Sequence, residues 1–140
     1  MDPNEVGLIG GSAGALVVHL VTYDPESRDQ RIKAVIEQSC SCAHSAWPVD
    51  VRVPVMLMHG TADSVIPYES SSSNFMAARP PKYLLTLNGA QHIQYEEPWQ
   101  SLSARAAIDF FDAYLKKQDD ALLRLSTDAN VQGVSTLQEG

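Results

Sequence analysis

A chain of 140 residues, 44% hydrophobic and 19% charged, has the composition of one ordinary globular domain rather than of a disordered or fibrous chain. Ten basic against seventeen acidic residues give a net charge of −7, with no basic cluster longer than Lys116-Lys117, which argues against nucleic acid and anionic membrane as partners. The longest apolar stretch, Ala13 to Val21, is short and broken by His19, so neither a transmembrane run nor a signal peptide is read, and the compartment is left open.

Asp2-Pro3-Asn4 is a turn that leads into a first strand, Val6 to Ile9. The apolar run ends in Gly10-Gly11-Ser12-Ala13-Gly14 and passes into a helix expected from Ala13 to Thr22 or Tyr23. That helix stops before Asp24-Pro25, because the residue ahead of proline is pushed out of helical geometry. Strand, tight turn and helix in this order have the shape of a nucleophile elbow. A serine hydroxyl becomes a useful nucleophile when it is held clear of the backbone, near a base, with an N–H nearby for developing negative charge. Gly10 and Gly14 are expected to be sterically required where strand and helix approach.

Ile32 to Ser39 reads as a second strand centred on Ala34, Val35 and Ile36, followed by a loop from Cys40 to Arg52. Cys40 and Cys42 are too close in sequence for an ordinary structural disulfide. Beside His44 they raise the question of metal, but no second ligand pair follows, so neither a metal nor a cofactor is expected. Val53 to His59 forms a third strand, with Pro54 tolerated at its entry. Glu69 to Ala78 is helical and is stopped by Arg79-Pro80-Pro81, and Tyr83 to Leu87 is a fourth strand. From Trp99 to Lys117, the spacing of Leu102, Ala106, Ile108, Phe110, Phe111, Tyr114 and Leu115 gives an amphipathic helix with Pro98 at its first turn. Asp120 to Leu125 reads as at most a helical turn, and Ser126 to Gly140 as an extended or mobile tail. Residues 1–117 then form the domain and 118–140 a C-terminal extension. Strands alternating with helices imply an α/β fold with a mainly parallel sheet of about four strands, flanked on both faces.

In open parallel sheets ligands bind beyond the carboxyl ends of the strands. Ser12 stands just past the first strand, Asp63 in His59-Gly60-Thr61-Ala62-Asp63-Ser64-Val65-Ile66-Pro67 past the third, and His92 past the fourth. The order Ser, Asp, His, each after a strand, resembles the α/β-hydrolase superfamily over about Val6 to Lys117. The resemblance implies that Ser12 attacks an acyl carbonyl, His92 accepts and returns its proton, Asp63 orients the imidazole, and the Ala13 N–H serves as an oxyanion donor. Bare structural roles are the alternatives: a turn residue for Ser12, an Asx-turn for Asp63, a surface histidine for His92. His59 and His19 are read as structural. His44, Trp47 and Tyr95 lie in loops at the same rim, either lining a substrate pocket or packing their loops.

The short interval from Ser12 to Asp63 leaves no room for a lid domain, so small acyl esters fit better than long chains. The arrangement is similar to compact serine esterases related to dienelactone hydrolases and acetylhydrolases. Gly-Gly-Ser-x-Gly also resembles the elbow of prolyl-oligopeptidase-type peptidases. The family's sheet normally has strands before the elbow that supply a second oxyanion donor, and those strands are absent from this sequence. That departure leaves a weak, truncated hydrolase domain acting in assembly or binding as another reading. It also predicts a homodimer or larger self-association through the open Val6 to Ile9 edge, or a fragment of a longer protein.

Overall fold

The computed structural model describes residues 2–42 and 46–140. Short runs rich in β-branched and aliphatic residues form the strands β1 (Val6–Gly11), β2 (Ile32–Gln38), β3 (Val55–Gly60) and β4 (Lys82–Leu87), and a more polar run forms β5 (Ser135–Glu139). Between and after them lie helices α1 (Ala13–Tyr23), α2 (Glu69–Ala77), α3 (Trp99–Tyr114) and α4 (Ala121–Asp128). The strands make one sheet in the order β1-β2-β3-β4-β5. The first four are parallel, and β5 runs antiparallel to β4. No described helix is long and apolar enough to cross a membrane.

The pleat sends alternate side chains into two cores. Ile36, Met56, Met58, Leu85 and Leu87 pack under Leu102, Ala106 and Phe110 of α3 and Leu125 of α4. Val35, Val55, Leu57 and Leu84 face the other way, against Val18 and Tyr23 of α1 and Phe75 of α2. Every residue of β3 is buried, as expected of a central strand covered on both faces. That burial fixes the register and carries the residues after β1, β3 and β4 to one rim.

The segment 118–140 corrects the expectation of an extended tail, and the sheet has five strands instead of about four. Ala121, Leu125 and Ala129, spaced one helical turn apart, bury one face of α4 and its C-terminus. Chain reversal then sets Ser135–Glu139 against β4, with Leu137 packed on the core and Thr136, Gln138 and Glu139 exposed. The polar outer positions made this edge strand look aperiodic in sequence.

β1 is the other edge of the described sheet. Ile9 is 51% exposed, and Val17 on the neighbouring helix is 58% exposed. Along β1 a groove of about 410 Å³ is lined by Val6, Leu8, Val21 and Ile32 together with Ser27, Asp29 and Arg31.

Candidate active site

Ser12 occupies the turn between β1 and α1 at φ 55° and ψ −120°, a conformation that non-glycine residues rarely adopt. Its N–H donates to the Gln38 carbonyl at the end of β2, 2.9 Å away, which anchors the turn. Its side chain makes no cap bond to α1, so the hydroxyl is left for another partner. A Cβ on Gly10 would fall 2.8 Å from the Ala15 nitrogen and closer still to the Gly14 carbonyl, so this glycine is required. Gly14 departs from expectation: a Cβ there meets nothing within 4 Å, because the position faces open space on α1.

The free partner is His92. Its Nε2 lies 2.9 Å from the Ser12 Oγ, and its Nδ1 lies 2.7 Å from Asp63 Oδ2. Since a carboxylate only accepts, Nδ1 carries the hydrogen and Nε2 presents a lone pair to the serine hydroxyl. The Asp63 side chain is fully enclosed, whereas that of His92 keeps 18% exposure. Asp63 Oδ1 accepts the N–H groups of Val65 and Ile66, both at 2.8 Å. Burial alone would raise the carboxyl pKa. The bonds from Ile66, His92 and Val65 and the charge of His92 outweigh it and lower the value to about 2. The Ala13 N–H is the first of α1, so no carbonyl one turn back accepts it. It stands at the positive end of the helix dipole, beside Ser12.

Tyr95 is 76% exposed. With Ile93 and Gln94 it lines a groove of about 220 Å³ that also takes in Ile9, Gln38 and Ala107, and a smaller one reaching Trp99. Trp47 sits elsewhere. Its indole packs 4.6 Å from the His19 ring and 4.7 Å from Tyr23 and donates to Asn74 Oδ1, so it serves core packing rather than a pocket wall. His44 lies outside the described residues. Larger cavities do not mark the site: one of about 310 Å³, lined by Arg28, Lys33 and Asp50 among others, lies toward the opposite ends of the strands.

Two further residues support the arrangement: Ser39, which sequence reasoning missed, and His59, whose partner it did not identify. The Ser39 hydroxyl donates to the His92 carbonyl at 2.5 Å, with Gln94 Nε2 adding a longer bond to the same oxygen. Ser39 itself is wholly buried at φ 48°. Reading it as the last residue of the second strand hid a side chain just past a strand end, the same signal that marked Ser12, Asp63 and His92. His59 is the other, fully buried with Nε2 3.0 Å from both Asp63 Oδ2 and the Ile66 carbonyl. Facing two acceptors, Nε2 carries the hydrogen, and Nδ1 accepts from the Ser71 hydroxyl at 2.6 Å. Its structural reading stands, and what it holds is the carboxylate that meets His92.

Among the solved structures that share this fold are two hydrolases. The esterase domain of a Rhodothermus marinus protein superposes with a TM-score of 0.64 at 19% identity, over 78% of this chain and 61% of that one. The fold is α/β-hydrolase-like. A Mycobacterium tuberculosis puromycin-hydrolyzing peptidase gives a TM-score of 0.68 at 19% identity, over 81% of this chain and 22% of that one. At such identities the likeness concerns the fold. Among curated proteins, the uncharacterized protein YfhR of Salmonella typhimurium is 36% identical over 70 residues, covering 50% of this chain and 22% of its own length. YfhR of Escherichia coli K12 is 29% identical over 68 residues, covering 48% of this chain and 24% of its own. The chain thus spans less than a quarter of the length of these relatives. No family model matches it.

Proposed function

We propose that this chain carries a serine hydrolase site that cleaves small acyl esters. The observation behind this reading is the continuous hydrogen-bonded chain from Ser12 Oγ through the His92 ring to an enclosed Asp63 carboxylate. In the proposed cycle His92 Nε2 takes the hydroxyl proton as Ser12 Oγ bonds to the acyl carbon, and Asp63 stabilises the resulting imidazolium. The carbonyl oxygen, now anionic, is met by the Ala13 N–H. Collapse expels the alcohol with the proton from His92, and water then releases the acid by the same route. Asp63 suits its role because its low pKa keeps it ionised throughout the neutral range.

No cofactor enters this scheme. The groove beside Tyr95 and Ile93 has a volume of about 220 Å³, which favours small acyl groups over long chains. One oxyanion donor comes from the described residues. Peptide hydrolysis is the second reading, supported by the likeness to the puromycin-hydrolyzing peptidase and by the Gly-Gly-Ser-x-Gly elbow. Turnover of short p-nitrophenyl esters beside proline-containing peptide amides, with Ser12→Ala as control, separates them. Ester turnover that persists in the Ser12→Ala protein would exclude this site.

A further inference from the structure

Away from Ser12, one buried cluster of titratable side chains has no part in the proposed chemistry. His19 of α1, Glu37 of β2 and Cys42 just beyond it bring a ring nitrogen, a carboxylate oxygen and a sulfur within 4.8 Å of one another. All three residues are buried, and Glu37 Oε2 is enclosed without any hydrogen-bond partner. An ionised carboxylate in such a place demands positive charge beside it.

The His19 ring shows where that charge belongs. Its Nε2 lies 3.2 Å from the Ala46 carbonyl, which can only accept, so Nε2 carries the hydrogen. Nδ1 therefore directs its lone pair at Glu37 Oε1, 3.1 Å away. Two acceptors facing each other require a proton or a metal cation between them. A metal-bound imidazole characteristically donates its other N–H to a backbone carbonyl, as His19 does. The 3.1 Å separation is also close to the ~3.3 Å edge of a tetrahedron with ~2.0 Å metal–ligand bonds.

Contrary to the expectation from their spacing, Cys42 is bonded to Cys40, so its sulfur becomes a ligand only in the reduced chain. We propose that His19 Nδ1, the Glu37 carboxylate and Cys42 Sγ bind one zinc ion once a dithiol reductant has opened the Cys40–Cys42 disulfide. In the opening step the S–S bond becomes two thiols, and the dithiol, giving up two electrons and two protons, closes to its own disulfide. Zinc then displaces the Cys42 thiol proton and the proton shared by His19 and Glu37. Two positive charges enter and two leave.

Nitrogen, sulfur and carboxylate donors together select zinc over the hard cations magnesium and calcium. A neutral imidazole, a carboxylate and a thiolate around Zn²⁺ sum to zero charge, which an enclosed site requires. A cavity of about 180 Å³ bordered by His19, Leu20, Asp24, Pro25 and Ala46 gives the ion an approach. The site would clamp α1 to β2 next to Gln38, whose carbonyl holds the Ser12 N–H. Sequence spacing did not reveal it, because the partners of Cys42 come from a helix and a strand 18 residues apart.

The test uses the full chain, reduced with a dithiol, desalted without oxygen and titrated with Co²⁺ and with Zn²⁺ against a chromophoric chelator. Reduced protein is expected to take up one equivalent, to show a thiolate-to-cobalt charge-transfer band and to release two protons per zinc. The oxidised protein should bind none. Cys40→Ser should bind without reductant, whereas Glu37→Gln and Cys42→Ser should each weaken binding at least ~100-fold. Far-UV circular dichroism identifies any variant that fails to fold, and the wild-type and Cys40→Ser titrations decide regardless. No stoichiometric uptake by reduced wild type and Cys40→Ser would overturn the proposal, as would a cobalt spectrum without the thiolate band. None of these readouts depends on the hydrolase reading.

Discussion

The two sides of Ser12 are built differently. Toward β2–β4, the polar groups that meet Ser12 are held by hydrogen bonds and the central strand is enclosed. Asp63 receives bonds from Val65, Ile66, His59 and His92, the His92 loop is tied by Ser39 and Gln94, and β3 is buried along its whole length. Toward β1 the picture reverses, with Ile9 and Val17 in water and an apolar groove along an unpaired strand edge. His92 and Asp63 are therefore held by finished structure. Ser12 hangs from the last strand of the described ladder, secured by β2 pairing and one N–H bond to Gln38.

Breaking the finished side should have the largest effects. Asp63→Asn removes the charge facing His92, and esterase turnover is expected to fall ~10⁴-fold with the fold retained, as measured by steady-state kinetics beside circular dichroism. A Cβ on Gly60 would sit 2.7 Å from the Gln91 carbonyl and even closer to the carbonyl of Ala90. Gly60→Ala should therefore lower stability by about 2–4 kcal/mol in urea melts. Gly14→Ala, facing open space within α1, should instead be neutral or stabilising by up to ~1 kcal/mol.

The pH dependence of stability sharpens the comparison further. Asp63 falls from the ordinary carboxylate value to about 2 on folding, so the folded state holds its proton less tightly than the unfolded chain. Its contribution, about 2 kcal/mol, is fully present above pH ~4 and disappears as the pH falls toward 2. Asp63→Asn should lack that part of the acid loss, so the gap between the two urea midpoints should narrow over this window.

On the open side the expected effects on folding are smallest. We propose that a second copy of the chain covers the β1 edge, pairing its unpaired N–H and C=O groups and enclosing Ile9. Ile9→Lys should then abolish self-association in light scattering while changing monomer stability by no more than ~0.5 kcal/mol. A wild-type chain that stays monomeric at high concentration would remove this proposal.

Legibility in sequence follows the same divide. Period-two and continuous apolar runs located β1 through β4, and the helical spacing of Leu102, Ala106 and Phe110 located α3, since burial on both faces leaves a strong pattern. β5 was invisible because an edge strand with one core-facing leucine and polar outer residues carries little pattern. Ser12, Asp63 and His92 could be picked out because each is a polar residue just past a strand. Ser39 and His59 escaped recognition in these roles because their partners, a carbonyl 53 residues away and a carboxylate behind Gly60, exist only once the sheet is assembled. The packing of Trp47 on His19 and Tyr23 likewise depends on tertiary contacts.

The central claim is that Ser12 is made nucleophilic by His92. Intact-mass and peptide-mapping analysis after exposure to a fluorophosphonate probe tests it directly. A single adduct on Ser12, formed at a rate that collapses in the His92→Ala protein, is the predicted result. Absence of an adduct on Ser12 in the folded wild-type protein, or a rate that His92→Ala leaves unchanged, would contradict it.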